Sequence, residues 1–152
     1  MIRLGSIVGL PAALNGRMVG RVEQAVLTHD GHALRGLVIR HGLGGAKWAP
    51  AAQIAIMGDV SVILAAPPER PPRDAAFTLS AVKDAGGLNL GRVTDAYVSR
   101  TTLLVTGLEV SLGLWEELTL GRMLARQFTV QQSPVGPAQV LIPFGCSLER
   151  LQ

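Results

Sequence analysis

The chain has 152 residues, which suits one compact domain or two small ones. Hydrophobic residues make up 48% and charged residues 16%, which excludes a disordered chain, because there is ample apolar area to offset chain entropy. Aromatics reach only 4%, too few for a base-stacking nucleic-acid platform, and the net charge of +3 is spread without a basic run.

The N-terminal stretch from Met1 to Leu14 superficially imitates a signal peptide. Gly5, Gly9 and Pro11 interrupt it, and no small-x-small cleavage site follows. A first strand and turn is the better expectation. The segment Gly16 to Val26 then reads as a strand whose imperfect alternation calls for a bend or bulge. Thr28-His29-Asp30-Gly31-His32 contains Asp-Gly, a strong hairpin signal. Leu34 to Arg40 is the return strand, rich in aliphatic and β-branched residues. Gly42 to Gly45 makes a second turn, a short piece follows around Trp48 to Ile54, and Val60 to Leu64 closes the unit.

That closing run, Val60 to Ala66, is the longest candidate for a membrane segment. Ser61 interrupts it and Pro67-Pro68 end it, far short of the ~20 apolar residues a spanning helix needs. The stretch Pro67 to Asp74 carries four prolines in six residues and reads as a semi-rigid linker.

Beyond the linker the pattern returns. Gly16-Arg17-Met18-Val19-Gly20-Arg21-Val22 aligns with Gly87-Leu88-Asn89-Leu90-Gly91-Arg92-Val93, an offset of 71. Gly36-Leu37-Val38-Ile39 aligns with Gly107-Leu108-Glu109-Val110, and Gly42-Leu43 with Gly113-Leu114, at the same offset. Such a repeat implies two copies of one unit. In the second, Leu90 to Ser99 turns at Arg100-Thr101-Thr102 and returns through Leu103 to Val110. Pro50 is matched with Pro143, which implies an insertion of ~22 residues after Gly113. Within it Leu114, Trp115, Leu118 and Leu124 share one helical face, so the spacing predicts a short helix over 114–126, weakened by Gly121.

These blocks resemble the PRC-barrel family. The pattern is Gly16-x-x-Val19-Gly20-x-Val22, then Gly36-Leu37-Val38-Ile39, a glycine-rich turn and a piece ending near Pro50. The second copy is Leu90-Gly91-x-Val93-x-Asp95-Ala96, then Gly107-Leu108-x-Val110. Glu23-Gln24 departs from the family's habit of an acidic residue followed by a hydrophobic one. The resemblance implies a small six-stranded barrel per unit, a protein or protein–RNA binding role, and no catalytic residues. It also gives Gly20, Gly91, Gly36 and Gly107 structural roles in bulges or close strand approach.

No constellation of catalytic residues rises above background. His29 and His32 lack a third ligand of fitting spacing. Gly42 to Lys47 lacks phosphate-loop spacing, and adjacent Glu116 and Glu117 cannot flank one bond. Cys146, the single cysteine, reads as a buried thiol and fits a reducing compartment. Residues 1–70 hold seven basic against four acidic residues, whereas residues 71–152 hold seven of each. A modestly basic first half can attract an acidic partner, but without a basic run these charges read first as a solvated surface.

The expectation is therefore an all-β, non-enzymatic, cytoplasmic protein of two tandem small β-barrels, PRC-barrel-like, with a short helical insertion in the second. Units span 1–67 and 75–152, with a linker at 68–74. The chain binds or scaffolds a protein partner or itself, a homodimer included. RNA or the ribosome is the alternative partner. No DNA, integral membrane segment, cofactor or metal is expected. The candidate partner surface is Arg17, Arg21, Arg35, Arg40, Trp115 and Leu118.

Overall fold

Alternation decides which way each strand faces. Leu37 and Ile39 point into the core with no exposure, while Val38 and Arg40 between and beyond them point outward. The chain is described here from a computed structural model, which places residues 1–74, 79–84, 86–113, 121–132, 138–143 and 148–151. In chain order the strands are β1 (Ile2–Arg3), β2 (Pro11–Leu14), β3 (Arg17–Leu27), β4 (Leu34–Arg40), β5 (Lys47–Pro50), β6 (Ile54–Met57) and β7 (Val62–Leu64). They continue as β8 (Leu79–Asp84), β9 (Asn89–Val98), β10 (Val105–Ser111), β11 (Met123–Ala125), β12 (Thr129–Gln131), β13 (Ala138–Ile142) and β14 (Glu149–Arg150). Short 3-10 turns cover Leu4–Ser6 and Ala51–Gln53. Among the described residues no helix is long and apolar enough to cross a membrane.

The strands form two sheets of one order. The first runs β5-β4-β3-β2-β7-β6, and the second repeats that order as β11-β10-β9-β8-β13-β12, with β14 added beyond β11 and β1 beside β9. Each contains a parallel pair at the same place, β2 with β7 and β8 with β13. Registers coincide as well. Ala25 lies opposite Leu37 and Ala96 opposite Leu108; Arg21 lies opposite Arg40 and Arg92 opposite Ser111. Even the bulges match: Glu23 and Thr94 are extra residues in β3 and β9, as Arg35 and Thr106 are in β4 and β10.

A single core joins the sheets. Val22, Leu37, Ile39 and Val62 from the first pack with Val98, Leu108, Val110 and Val140 from the second. The two hairpin tips also bond directly: Leu34 N–H donates to the Leu103 carbonyl at 2.8 Å and Val105 N–H to the His32 carbonyl at 2.8 Å. β1 crosses over as well and pairs with the end of β9. The proline-rich segment is pinned to the first sheet, since Trp48 N–H donates to the Glu69 carbonyl at 2.7 Å and Glu69 N–H returns the bond at 2.8 Å.

Three expectations are corrected. Neither sheet closes into a barrel. The free edge of β5 is taken by Glu69, and the free edge of β11 by β14, so other partners satisfy the backbone groups that closure would have used. The helix over 114–126 is not formed in its described part. Met123–Ala125 is a strand on β10, and Gly121 just before it has φ 76°, outside the right-handed helical region. Residues 114–120 lie outside the described residues. Finally, Pro143 does not match Pro50. Ala49 faces Leu37 and Ala125 faces Leu108, an offset of 76, so only five extra residues precede β11.

Candidate partner-binding cleft

β6 ends the first sheet, and the tip of the β9–β10 hairpin lies across it. Hydroxyl groups shape that tip. Thr102 N–H donates to Ser99 Oγ at 3.3 Å, and Leu104 N–H donates to Thr102 Oγ1 at 3.3 Å. The consequence is a left-handed Leu103, φ 59°, a conformation that costs a bulky residue about 1–3 kcal/mol. Two backbone bonds hold it there, Leu103 N–H to the Ser99 carbonyl at 2.8 Å and Leu34 N–H to the Leu103 carbonyl at 2.8 Å.

Between tip and strand lies an open cleft of about 460 Å³, lined by residues 54–57 of β6 and by Arg100, Thr101 and Leu103 of the tip. Ile56 is 58% exposed at its mouth, a large apolar side chain left in water. Arg100 forms the polar rim. Its Nη1 donates to the Met57 carbonyl at 3.0 Å, and its Nη2 pairs with Asp59. This arrangement offers one rigid wall, one apolar floor and a fixed cation. It suits binding, and no acid–base pair faces its interior.

The arginines expected to form a surface are placed differently. Arg21 and Arg40 face each other across β3 and β4, like charges in direct opposition. Arg40 is neutralised by Glu23, which its bulge turns toward it, and also donates to the Gly44 carbonyl at 3.2 Å. Arg21 donates to the Gly9 carbonyl at 3.0 Å. Arg35 sits at the other bulge, over the Trp48 ring at 5.8 Å and bonded to Asp74 at 3.0 Å. Arg17 is exposed at the start of β3. Trp115 and Leu118 lie outside the described residues, as do Glu116, Glu117 and Cys146. His29 and His32 do not converge: His29 Nε2 meets Asp74 at 2.8 Å, while His32 stacks on Phe128.

Asp74 therefore anchors the end of the proline-rich segment. Bonds from Arg35 first, and His29 second, hold its carboxyl down to about 2 from the usual 3.8. A depressed carboxyl stabilises the fold above its unfolded value and loses that contribution as pH falls through the folded value. An NMR titration of the Asp74 carboxyl is expected to show a midpoint near 2, and Arg35→Ala should move it back toward 3.8. A wild-type midpoint at 3.8 would show that the anchor does not form in solution.

The cleft residues escaped the sequence reading. The available signal was Ile54-Ala55-Ile56-Met57, four apolar residues in a row at a sheet edge, where alternation with polar residues is the rule. A scan against protein-family models found no match, and a search of curated proteins found none either.

Proposed function

We propose that this chain is a non-enzymatic binding or scaffolding module, a duplicated unit whose sequence blocks resemble the PRC-barrel family and which engages a protein partner or a second copy of itself. The observation that carries the reading is the cleft beside β6, where exposed Ile56 and strained Leu103 flank an apolar opening rimmed by Arg100. Strain held in place by two backbone bonds is a common mark of a site that must keep one shape. The duplication is supported by the shared strand order and by register pairs 71 apart. The accessory role on RNA or the ribosome ranks second, because Arg21, Arg35 and Arg40 are engaged within the protein.

Affinity capture from a native lysate, with and without ribonuclease, tests the reading alongside sedimentation of the pure protein. A captured protein that survives ribonuclease, or a concentration-dependent dimer, is the expected result. Ribosomal proteins that vanish with ribonuclease would instead establish the second reading. A monomer that captures nothing would remove both.

A further inference from the structure

The end of the first sheet opposite its hairpin tip breaks two local rules. There β3 starts, β4 ends and β5 begins, and residues 41–46 join the last two. The His41 carbonyl accepts from Gly44 N–H at 3.0 Å, which closes a turn with Gly42 and Leu43 at its corners. Of the two corners only Gly42 has a positive φ, 58°, so glycine stands first, as a type II′ turn requires. Arg40 Nη1 donates to the Gly44 carbonyl at 3.2 Å and ties the loop to the strand before it. Nothing in this turn calls for leucine at the second corner, where a small polar residue serves the backbone equally well. Yet Leu43 is fully exposed, held out in water by a bonded turn. Met18, at the start of β3, is 47% exposed at the same end.

The second rule concerns charge. Arg21 and Arg40 are directly opposed in the ladder. Trp48 bridges Glu69 in the antiparallel sense, so one step toward the loop Lys47 stands beside Arg70. Like charges in opposition cost stability. Arg17, at the head of β3, adds a fifth cation, and all five residues are exposed. Among the described residues, the acids of these three strands and of the segment beside β5 are Glu23 and Glu69, and Glu23 is taken by Arg40. Arg21 donates to the Gly9 carbonyl, a neutral acceptor that leaves its charge in place. Cations scattered through the sequence at 17, 21, 40, 47 and 70 are thus gathered at the end that carries an apolar apex.

We propose that this end of the protein docks on an anionic phospholipid surface, with Leu43 entering the interface and Arg17, Arg21, Lys47 and Arg70 serving the headgroups. Charge complementarity sets the sign of the partner, and the shape of the apex sets its kind. A lone leucine on a convex turn offers no groove to a peptide. An acidic protein or a nucleic acid would satisfy the cations and leave the aliphatic side chain in water. A bilayer takes both, because interfacial binding adds buried apolar area to the attraction of cations for anionic lipid. Both broken rules then have one cause. The docking is peripheral, since no helix among the described residues is long and apolar enough to cross a membrane. The surface is separate from the cleft beside β6, so this inference goes beyond the binding-module reading and stands or falls apart from it.

The test is co-sedimentation of the full chain with vesicles of phosphatidylcholine alone and of equimolar phosphatidylcholine and phosphatidylserine. Binding to the mixed vesicles and not to phosphatidylcholine alone is expected, and added salt should weaken it because the cations are exposed. Leu43→Ser should weaken binding about tenfold, the effect of withdrawing one aliphatic side chain from an apolar setting. Lys47→Ala should weaken it about fivefold. Leu43→Trp should bind at least as tightly as the wild type, since tryptophan settles at the membrane–water interface. Both positions lie in water, so the urea midpoints of all three variants should match that of the wild type. Absence of binding to the mixed vesicles, or equal binding to phosphatidylcholine alone, would overturn the proposal. So would undiminished binding of Leu43→Ser, since charge alone would then be at work. Tighter binding of a polyglutamate peptide or of duplex RNA than of the mixed vesicles, unaffected by Leu43→Ser, would assign the cations to an acidic polymer instead.

Discussion

Glu109→Ala is expected to destabilise the protein by about 3 kcal/mol in urea unfolding. Glu109 is 2% exposed, on the face of β10 that points away from the main core. Its position in the first sheet is held by Val38, which packs with Val26 and Trp48 in a small apolar cluster. At Glu109 the same position is a charge network. Arg3 Nε donates at 3.2 Å, Arg122 Nη1 at 2.9 Å and the Thr94 hydroxyl at 2.8 Å. Arg3 reaches Asp95 at 3.0 Å as well, and Asp95 accepts from Gly5 N–H at 3.0 Å. The network thus fastens β1 and the turn after it to the second sheet.

Alanine leaves a hole where the carboxylate was and removes the acceptor of three donors. The two arginines are 41% and 48% exposed, so they can turn to water, which keeps the loss below that of a stranded buried charge. Glu109→Gln keeps the volume and one acceptor and should cost about half as much. The pH dependence has a definite sign. Burial pushes the Glu109 carboxyl up, but Thr94, Arg3 and Arg122 together outweigh it, and the net shift is downward from 4.5. Its contribution is therefore full above 4.5 and is lost as pH falls below that value. Glu109→Ala should flatten the acid limb of the stability curve. An unchanged limb would mean that the network is not formed.

The matched bulges show how one backbone plan carries two different surfaces. The extra residue in the long strand is Glu23 in one sheet and Thr94 in the other; the first reaches Arg40 and the second Glu109. The extra residue in the return strand is Arg35 or Thr106. Arg35 covers Trp48 and holds Asp74, whereas Thr106 bonds to Met1 Sδ at 3.1 Å and to the Tyr97 carbonyl at 3.3 Å. A bulge turns an additional side chain outward without disturbing the alternation beyond it. The outer faces could therefore diverge while Leu37 and Leu108, or Ile39 and Val110, kept their places in the core.

Local features were legible in the sequence. Asp30-Gly31 marks the hairpin that forms there, and the glycine spacing that aligned Gly20 with Gly91 corresponds to equal register positions. Backbone geometry of this kind depends on a few neighbours. What depends on distant chain was not legible. One edge of each sheet is covered, by Glu69 and by β14, segments with no strand pattern of their own. The apolar spacing around Leu124 suited a helix equally well, but the open edge of β10 offers more hydrogen bonds than a short isolated helix can sustain. Matching Pro50 to Pro143 relied on residue identity where only strand pairing could set the register. The Glu109 network draws on positions 3, 94, 109 and 122, and the cleft on 54–57 and 100–103. Beyond the unbroken apolar run at 54–57, neither grouping leaves a trace in sequence spacing.

Gly91→Ala is expected to cost about 3 kcal/mol and Gly20→Ala about 2 kcal/mol, the difference arising from what each new methyl group meets. The two glycines have nearly the same backbone, φ 155° and 152°, in a region that L-residues rarely adopt. Each lies where its strand passes close to the next. At Gly91 a Cβ would run into the Ser111 carbonyl oxygen, with Ser111 C at 3.0 Å and Leu112 Cα at 3.1 Å. All three obstacles are backbone, at the end of β10 and the residue after it, which cannot withdraw without breaking the ladder. At Gly20 the nearest obstacle is the Ile39 Cγ2 methyl at 2.6 Å, with the Arg40 carbonyl oxygen at 2.8 Å. Ile39 can adjust in part, so the penalty is smaller. Gly9→Ala separates strain from collision: its φ is 91° and nothing stands within 4 Å, so it should cost only about 1 kcal/mol. Urea midpoints for the three variants give the order directly. Because Gly20 and Gly91 sit in different sheets, the double variant should lose the sum of the two effects. A loss well short of that sum would mean that the sheets share an adjustment through their common core. Equal costs at all three positions would mean that left-handed strain alone, and not the close strand approach, is why glycine stands at 20 and 91.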